Sequence, residues 1–311
     1  GCGGGYDMFS GVPLFYAIRE RLGKDNVFIG NLAFTAQPGE LSPPPETYGR
    51  CCYGVTAAAK SQLAASHSYY FPEKQFATWH EKKHGDAITV FTFVRSGVKH
   101  YTEAMTAVCT KHNVDTIILV DGGTDSLCKG DEQGVGTPSE DSLSMISVDN
   151  CRRNGVVKNT LLVALGWGID HFHGVNGVNV LENIGELTRS GHFLGAFTLH
   201  RNHHEAALLL DAYENCKPAN SIVTSSVASA VAGGVGDVHH PATADRTRGS
   251  KLFISAMMTL YWVAQLDGVV ANMRYAHRCR DSKSYSEHVA GIREWRDEHE
   301  KQLRAPQQFP H

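Results

Sequence analysis

The run Asp121-Gly122-Gly123-Thr124-Asp125 carries two carboxylates at a place in the sequence where a small ligand could meet them. It follows residues 116–120, an apolar and β-branched segment that predicts a buried strand. Open α/β sheets bind their ligands at the carboxyl ends of such strands, and glycines there let the backbone approach a ligand closely. Because Asp121 and Asp125 have no basic residue directly beside them, we expect both to act on a ligand as catalytic residues.

A second loop of the same design follows the predicted strand at residues 160–165. It contains Gly166, Trp167, Gly168, Asp170, His171 and His173. Asp170 and His171 are predicted to act as an acid/base pair or to help coordinate a metal, because imidazole titrates near neutrality and a carboxylate can orient it. Two plain alternatives stay open: the histidines could be polar residues at a rim, sharing one strand face, and Trp167 could belong to the core rather than stack on a ligand ring.

The glycine cluster at the start of the chain predicts a binding loop for phosphate groups. Residues 1–7 run directly into a helix predicted at 12–22, and such a junction presents free backbone N–H groups and the positive helix end to a ligand. The alternative is a tight turn without a ligand. The predicted cofactor-binding residues of the three loops are Gly3, Gly4, Gly5, Asp7, Gly122, Gly123, Thr124, Gly166 and Gly168.

The sequence assigns no residue to a metal, although one type of metal site stays open. The chain has 17 histidines, but it contains neither an HExxH motif nor paired CxxC motifs, which argues against structural zinc. Magnesium on Asp121, Asp125 or Asp131 is compatible with the sequence, because such sites need only one or two carboxylates. Glu140 and Asp141 follow Thr137 and a proline, and we expect them to serve the dipole at a helix start.

Composition favours a cytoplasmic protein with a small-molecule ligand. Of 311 residues, 42% are hydrophobic, and the net charge is -3, with no basic run that could follow a nucleic acid backbone. No apolar run reaches the ~18 residues that a membrane span needs, and the eight cysteines lack the pattern of a disulfide scaffold. Because the chain begins without methionine, we expect an earlier segment. Residues 252–276 are apolar enough for either core or a homo-oligomer contact.

Strand-like and helix-like segments alternate along the chain, which predicts one α/β domain over residues 1–311. Its fold is expected to be Rossmann-like: a mostly parallel sheet with helices on both faces. The predicted strands are 27–30, 87–94, 116–120 and 160–165, and the predicted helices are 12–22, 56–66, 101–112 and 139–150. Long strand-end loops are expected at 37–48, 121–141 and 233–249. Residues 252–276 are expected to be helical first and strand-like at 268–273, and residues 282–303 to be a helix with a solvated charged face.

These motifs resemble an uncharacterised family, domain of unknown function 1152, which occurs mostly in archaea and bacteria. The matching pieces are the glycines at 3–5 with Asp7, the segments 121–127, 130–132, 136–138 and 140–141, and Gly166 with Gly168 and Asp170. Members are distantly similar to the nucleotide-binding folds of deoxyhypusine synthase and the sirtuins. The resemblance implies NAD or a flavin dinucleotide as a cofactor, and a strand before the glycine cluster.

Three functions are compatible with these residues. The first is an enzyme of the transferase or hydrolase type that binds a nucleotide or dinucleotide, with its phosphates on residues 3–5 and its reacting part near Asp121, Asp125, Asp170 and His171. The second is a magnesium-dependent enzyme that acts on a phosphorylated metabolite. The third is a sensor that binds a metabolite without turnover.

Overall fold

The computed structural model describes residues 1–34, 41–60, 70–216, 221–233 and 253–308. Eight strands form two four-stranded sheets. The first sheet has the order β2-β3-β4-β1, with β1 (Ile29–Ala33), β2 (Glu46–Tyr48), β3 (Cys52–Val55) and β4 (Val90–Val94). The second has the order β5-β6-β8-β7, with β5 (Thr116–Asp121), β6 (Asn159–Ala164), β7 (Phe193–Thr198) and β8 (Leu260–Gln265).

The first two residues of the chain lie between the two sheets. The Gly1 nitrogen donates a hydrogen bond to the Gly30 carbonyl at 2.8 Å, and the Leu32 N–H donates to the Gly1 carbonyl at 3.4 Å. On the other side, the Cys2 N–H donates to the Val120 carbonyl at 2.7 Å. This segment therefore joins β1 to β5, and it brings the following glycines to the carboxyl end of β5.

Ten helices accompany the strands in the described part of the chain. They are α1 (Val12–Leu22), α2 (Pro72–His84), α3 (Val98–His112), α4 (Pro138–Arg153), α5 (Gly177–Arg189), α6 (His204–Cys216), α7 (Ile222–Val231), α8 (Leu266–Asn272), α9 (Ala276–Cys279) and α10 (Tyr285–Glu298). Short 3-10 turns include Gly5–Gly11, Asp125–Leu127 and Ile169–His173. No helix of the described residues is long and apolar enough to cross a membrane.

Successive strand residues pack into two separate cores, which places helices on both faces of the strands. Leu119 and Leu162 belong to one core, whereas their neighbours Val120 and Val163 belong to the other. This alternation follows from the two-residue period of a strand. Helices α3, α4 and α8 supply residues to the first core, and α1, α2 and α6 supply residues to the second.

The α/β class and the helices on both faces agree with the sequence prediction, but a mostly parallel sheet is not confirmed. Of the six strand pairings among the described residues, β1 with β4 and β5 with β6 are parallel. The other four are antiparallel. A short hairpin-like connection joins β2 to β3, whereas the connection from β3 to β4 contains α2.

Several predicted elements lie where they were expected. Helix α1 has the predicted bounds, and α3, α4 and the strands β4, β5 and β6 overlap the predicted segments. The described part of the expected 56–66 helix is not helical: residues 56–60 form a turn and a bridge from Lys60 to Ser42. The remainder of that segment, residues 35–40 and the 234–249 part of the third expected loop lie outside the described residues.

The order predicted for residues 252–276 is wrong. Strand β8 comes first and helix α8 follows. The strand lies between β6 and β7 in the sheet, because Tyr261 and Ala264 of β8 pack into the cores on opposite faces of that sheet. The pair Val269 and Val270, which suggested a strand, lies on the buried side of α8 instead. Packing has here overridden the strand preference of valine.

Candidate functional site

Five aspartates meet at the carboxyl end of β5. Asp121 ends that strand, Asp125 begins the 3-10 turn after it, Asp141 lies in the first turn of α4, and Asp7 and Asp170 lie in the 3-10 turns Gly5–Gly11 and Ile169–His173. We call these five residues the aspartate cluster. One carboxylate oxygen each of Asp121, Asp125 and Asp141 lies within 4.8 Å of the other two. All but Asp7 are buried.

Glycines stand opposite the carboxylates of the aspartate cluster. A Cβ atom at Gly3 would lie 2.9 Å from oxygens of both Asp7 and Asp141. At Gly123 it would lie 2.3 Å from Asp170 Oδ2, and at Gly136 it would lie 2.2 Å from Asp125 Oδ2. A β-carbon therefore does not fit at any of the three positions, and glycine leaves the space that the carboxylates occupy.

Backbone N–H groups fix the direction of three of these side chains. Asp170 Oδ2 accepts a hydrogen bond from the Thr124 N–H at 2.8 Å, and Asp125 Oδ2 accepts one from the Thr137 N–H at 2.8 Å. Asp121 Oδ2 accepts a longer bond from the Ser126 N–H at 3.4 Å. Because these donors belong to the loop 121–141, this loop positions its own Asp121 and Asp125 and also Asp170 of the turn Ile169–His173.

Little positive charge lies near the aspartate cluster within the described residues, and the buried amino group of Gly1 beside Asp7 is one source of it. None of its five members forms a salt bridge there, and Asp141 Oδ1, fully buried, has no hydrogen-bond partner in that part of the chain. Two ionised carboxylates whose oxygens lie within 4.8 Å of each other repel each other by at least about 3.5 kcal/mol at an effective dielectric constant of ~20. Such an arrangement is stable only when protons or a cation neutralise it.

Burial raises the pKa values of the cluster, and the repulsion between its carboxylates acts in the same direction. Burial, with the charge of Asp125 as a further cause, raises the pKa of Asp121 to about 7. Burial followed by the neighbouring carboxylates also raises the pKa of Asp7, Asp141 and Asp170. Without a cation the cluster therefore retains protons at a pH at which ordinary aspartates are ionised.

Arg95 lies at the rim of the site. Its guanidinium carbon is 4.3 Å from the centroid of the Phe34 ring, and its Nη2 is 3.4 Å from an oxygen of Glu140, the neighbour of Asp141 in α4. The Phe34 ring in turn lies against the backbone of Gly4. Arg95 and Phe34 are both exposed, so this rim presents a cation and an aromatic ring beside a buried group of carboxylates.

A model of the family described as Protein of unknown function (DUF1152) matches residues 1–297. The chain belongs to the DUF1152 family. No curated protein and no solved structure matches the chain significantly. The distant similarity to deoxyhypusine synthase and the sirtuins is not shown and stays a prediction.

In this DUF1152 chain the glycine cluster at residues 3–5 adopts the sharp turn that glycine permits, with φ of 93° at Gly4 and 61° at Gly5. The space beside both glycines is taken. A Cβ atom at Gly4 would lie 2.9 Å from the Phe34 ring, and one at Gly5 would lie 2.1 Å from the Tyr70 hydroxyl. Phosphate binding by Gly3, Gly4 and Gly5 remains a prediction, and the neighbours of Gly3 are carboxylates.

The loop 166–173 combines one buried and one exposed member of the predicted acid/base pair. Asp170 points into the aspartate cluster, whereas His171 is exposed. His171 and His173 lie in a 3-10 turn, so the prediction that they could share a strand face is wrong. Trp167 is buried and lies 5.2 Å, ring to ring, from Trp262, which agrees with the alternative of a core residue. The carbonyl of Gly122 faces Gly166, and Gly168 begins the turn.

The sequence predictions for two acids, Asp131 and Asp141, need correction. Asp131, a predicted magnesium ligand, is ion-paired with Arg274 at 3.2 Å and Arg304 at 2.8 Å, so it is already neutralised. Asp141 was expected to serve only the helix start, where it does lie, but its side chain also belongs to the aspartate cluster. Its neighbour Glu140 instead accepts a hydrogen bond from the Tyr285 hydroxyl at 2.6 Å and contacts Arg95 at the rim.

The charged face of the C-terminal helix is not merely solvated. Arg296 of α10 donates hydrogen bonds to the carbonyl oxygens of Gly130 and Glu132, at 2.7 and 2.9 Å, and to that of Gln133 at 3.0 Å. These contacts tie α10 to the loop that carries Asp125. The sequence signal for this role was weak, because an arginine among other charges on a helix usually faces water.

Proposed function

We propose that the chain is a divalent-cation-dependent enzyme that acts on a phosphorylated small molecule, of which nucleotides are one class. One observation carries this proposal: the buried Asp141 Oδ1, which has no hydrogen-bond partner among the described residues, points into a cluster without a salt bridge there. Magnesium and manganese prefer carboxylate oxygens as ligands. Asp121, Asp125 and Asp141 are the residues that would hold the cation.

The charge of the site favours a cation over a bare phosphate group. A dinucleotide bound without metal would place its negative phosphates beside carboxylates, which costs free energy. A cation held by the cluster would instead bind phosphate oxygens on its open side, as in many magnesium sites. Arg95 at the rim would contact a further anionic group of the same ligand.

Asp170 offers the proton chemistry that such an enzyme needs without being a ligand of the cation. Burial, followed by the neighbouring carboxylates, raises the pKa of Asp170, which favours a group that can hold and release a proton. The Thr124 N–H holds Asp170 in place. Asp170 would position a water molecule or a hydroxyl group against the phosphorylated ligand.

Thermal denaturation of EDTA-treated protein tests the proposal. We expect Mg²⁺ or Mn²⁺ to raise the melting temperature, because a ligand at 100 times its Kd stabilises the native state by about 2.7 kcal/mol. ATP, inorganic phosphate and sugar phosphates should raise it further only when the cation is present. The variant Asp125→Asn should lose the cation effect, whereas Asp131→Asn, which removes an ion-paired acid from the same loop, should keep it.

Two results would contradict the proposal. The first is a melting temperature that neither Mg²⁺ nor Mn²⁺ changes at millimolar concentration. The second is stabilisation by NAD in the presence of EDTA, which would favour a dinucleotide bound without metal. A phosphorylated compound that binds with the cation but is never converted would instead identify a sensor.

A further inference from the structure

The C-terminal end of the described chain lies across the loop 121–141. We call residues 303–307 the C-terminal strap. The Arg304 N–H donates a hydrogen bond to the Asp131 carbonyl at 2.7 Å, and the Gln133 N–H donates to the Arg304 carbonyl at 2.9 Å. Two asparagine side chains at the start of α5 donate to further carbonyl oxygens of the strap, at 2.9 and 3.3 Å. The strap is therefore fixed to both the loop and α5.

The Arg304 side chain compensates a carboxylate that the loop buries. Glu132 is 1% exposed, and its Oε1 accepts a hydrogen bond from Arg304 Nη2 at 2.7 Å. The same carboxylate accepts hydrogen bonds from the N–H groups of Lys129 and Gly130, at 3.0 and 2.9 Å. Within the described residues Glu132 forms its ion pair with Arg304 alone. Because a buried charge needs a partner, Arg304 keeps Glu132 and the backbone bonded to it in one place.

Asn183 carries the contact on to the turn that begins with Asp125. Asn183 is 1% exposed, and its Oδ1 accepts a hydrogen bond from Arg304 Nη2 at 2.8 Å. Its amide group donates to Glu132 Oε1 at 2.6 Å and to the Leu127 carbonyl at 3.0 Å. Leu127 is the last residue of that turn. A displacement of Arg304 would therefore change the contacts of the turn as well.

We propose that Arg304 is a positioning residue of the cation site, and that the C-terminal strap and a bound cation stabilise each other. This inference rests on the proposed function and adds a means of control to its site. Asp125, one of the residues that would hold the cation, is fixed from two directions. Its turn ends at Leu127, and its Oδ2 accepts a hydrogen bond from the Thr137 N–H at 2.8 Å. The strap holds the loop between these two points.

The strap acts against the repulsion within the aspartate cluster. In metal-free protein, ionised carboxylates of Asp121, Asp125 and Asp141 would lower their free energy by moving apart. A loop held by the strap keeps oxygens of these three residues within 4.8 Å of one another before a cation binds. Such preorganisation raises affinity, because binding no longer has to order the site. Release of the strap should therefore weaken cation binding without unfolding the protein.

A coupling of this kind is reciprocal and can be measured in the wild type. If a fixed strap raises the affinity for a cation by a given factor, a bound cation reduces opening of the strap by the same factor. Backbone amides exchange hydrogen with water when their hydrogen bonds open. In mass spectrometry of the EDTA-treated full chain, saturating Mn²⁺ should slow exchange in residues 303–307 about tenfold or more. The Gly85 amide, which bonds to the Glu81 carbonyl at the end of α2, is the control and should exchange at an unchanged rate.

Four variants test the role of the Arg304 side chain by equilibrium dialysis with Mn²⁺. Arg304→Ala should raise the Kd for Mn²⁺ about tenfold or more, and Arg304→Lys, which keeps a positive charge beside Glu132, should restore part of the affinity. Arg278→Ala is the matched control with the wild-type Kd, because Arg278, 31% exposed against 26% for Arg304, pairs with Glu298 outside the loop. Asp131→Asn should also keep the wild-type Kd, because it leaves the main-chain bond and the Glu132 pair of Arg304 in place.

The results separate this inference from the proposed function. Strap amides that exchange equally fast with and without Mn²⁺, or a folded Arg304→Ala with the wild-type Kd, would overturn the coupling while leaving a cation-dependent enzyme intact. Binding of no Mn²⁺ by the wild type would refute the proposed function and the coupling with it. Circular dichroism shows whether each variant is folded, and the exchange measurement on the wild type decides the question even where a variant is not.

Discussion

Asp141 and Asp149 are buried aspartates about two turns apart on α4, and they differ in their surroundings. Asp149 is ion-paired with Arg152, Arg153 and Arg280 at 3.2, 2.8 and 2.8 Å. Asp141 has no such partner among the described residues and lies with other carboxylates. In metal-free protein, Asp141→Asn should therefore raise the free energy of unfolding, and Asp149→Asn should lower it.

The expected size of the Asp141 effect follows from two opposing contributions. When Asp141 is ionised, removing its charge removes a repulsion of at least about 3.5 kcal/mol with one ionised neighbour whose oxygen lies within 4.8 Å. It also removes a favourable interaction with the start of α4, worth about 0.5 kcal/mol. The net gain is at least about 3 kcal/mol, or about 5 °C in melting temperature for a chain of this length. Asp149→Asn should instead cost about 1–3 kcal/mol, because it removes a charged hydrogen-bond acceptor from arginines that are 21–55% exposed.

Urea denaturation at pH 8 in EDTA measures both effects, and the pH keeps more of the cluster ionised. Repeating the urea titration with Mn²⁺ should reverse the stability order of the wild type and Asp141→Asn. The cation should stabilise the wild type strongly and Asp141→Asn little, so that the variant becomes the less stable protein. If Asp141→Asn destabilised the EDTA-treated protein as Asp149→Asn does, the charge repulsion inferred from the structure would be absent.

Three further predictions concern the same site. Because burial raises the pKa of Asp121 from 3.8 to about 7, the folded metal-free protein retains a proton that the unfolded chain releases in this range. In urea titrations the free energy of unfolding of the wild type, relative to that of Asp121→Asn, should fall by about 1.4 kcal/mol per pH unit from pH 4 to 7 and should not fall further above pH 7. Parallel plots of the two free energies against pH would contradict this. Gly136→Ala and Gly155→Ala share the backbone cost of a positive φ, about 1–2 kcal/mol. Only the Gly136 variant should also lose Mn²⁺ affinity in equilibrium dialysis, since a Cβ at Gly155 meets nothing within 4 Å; equal affinities would refute the crowding of Asp125 by a side chain at position 136. Arg95→Ala should weaken calorimetric binding of phosphate to the Mg²⁺-loaded protein about tenfold or more, with unchanged Mg²⁺ affinity, whereas Arg153→Ala should have no effect.

The sequence predicts an element well where one signal dominates. Helix α1 begins at Val12, has Pro13 in its first turn and ends before Gly23, and a proline and a glycine at these places mark helix boundaries. Strand β8 was missed because Tyr261 and Trp262 face different sides of a sheet that is covered on both faces. A strand buried on both faces shows no alternation of polar and apolar residues, so its pattern resembles that of a buried helix.

The sequence predicted only those acids of the site that follow a recognisable strand. Each of Asp121, Asp125 and Asp170 follows a strand that could be recognised, and the structure places all three in one cluster. Asp141 gave no such signal, because adjacent helix residues such as Glu140 and Asp141 point about 100° apart and only the packing of α4 decides which one faces inward. Ion pairs that neutralise an acid, as at Asp131, also come from distant parts of the chain.

The positions of three glycines support the proposed cation over a dinucleotide that binds without metal. In a dinucleotide-binding turn, glycines bring backbone N–H groups to a negative phosphate. In this chain the missing β-carbons of Gly3, Gly123 and Gly136 face carboxylates of the protein itself. The same residue type therefore makes room for negative charge that the protein supplies, and a negative ligand would add to that charge. A partner of opposite sign is the one that lowers the free energy of the site, so the glycine and aspartate motifs together favour a cation as the first ligand and a phosphate group as the second.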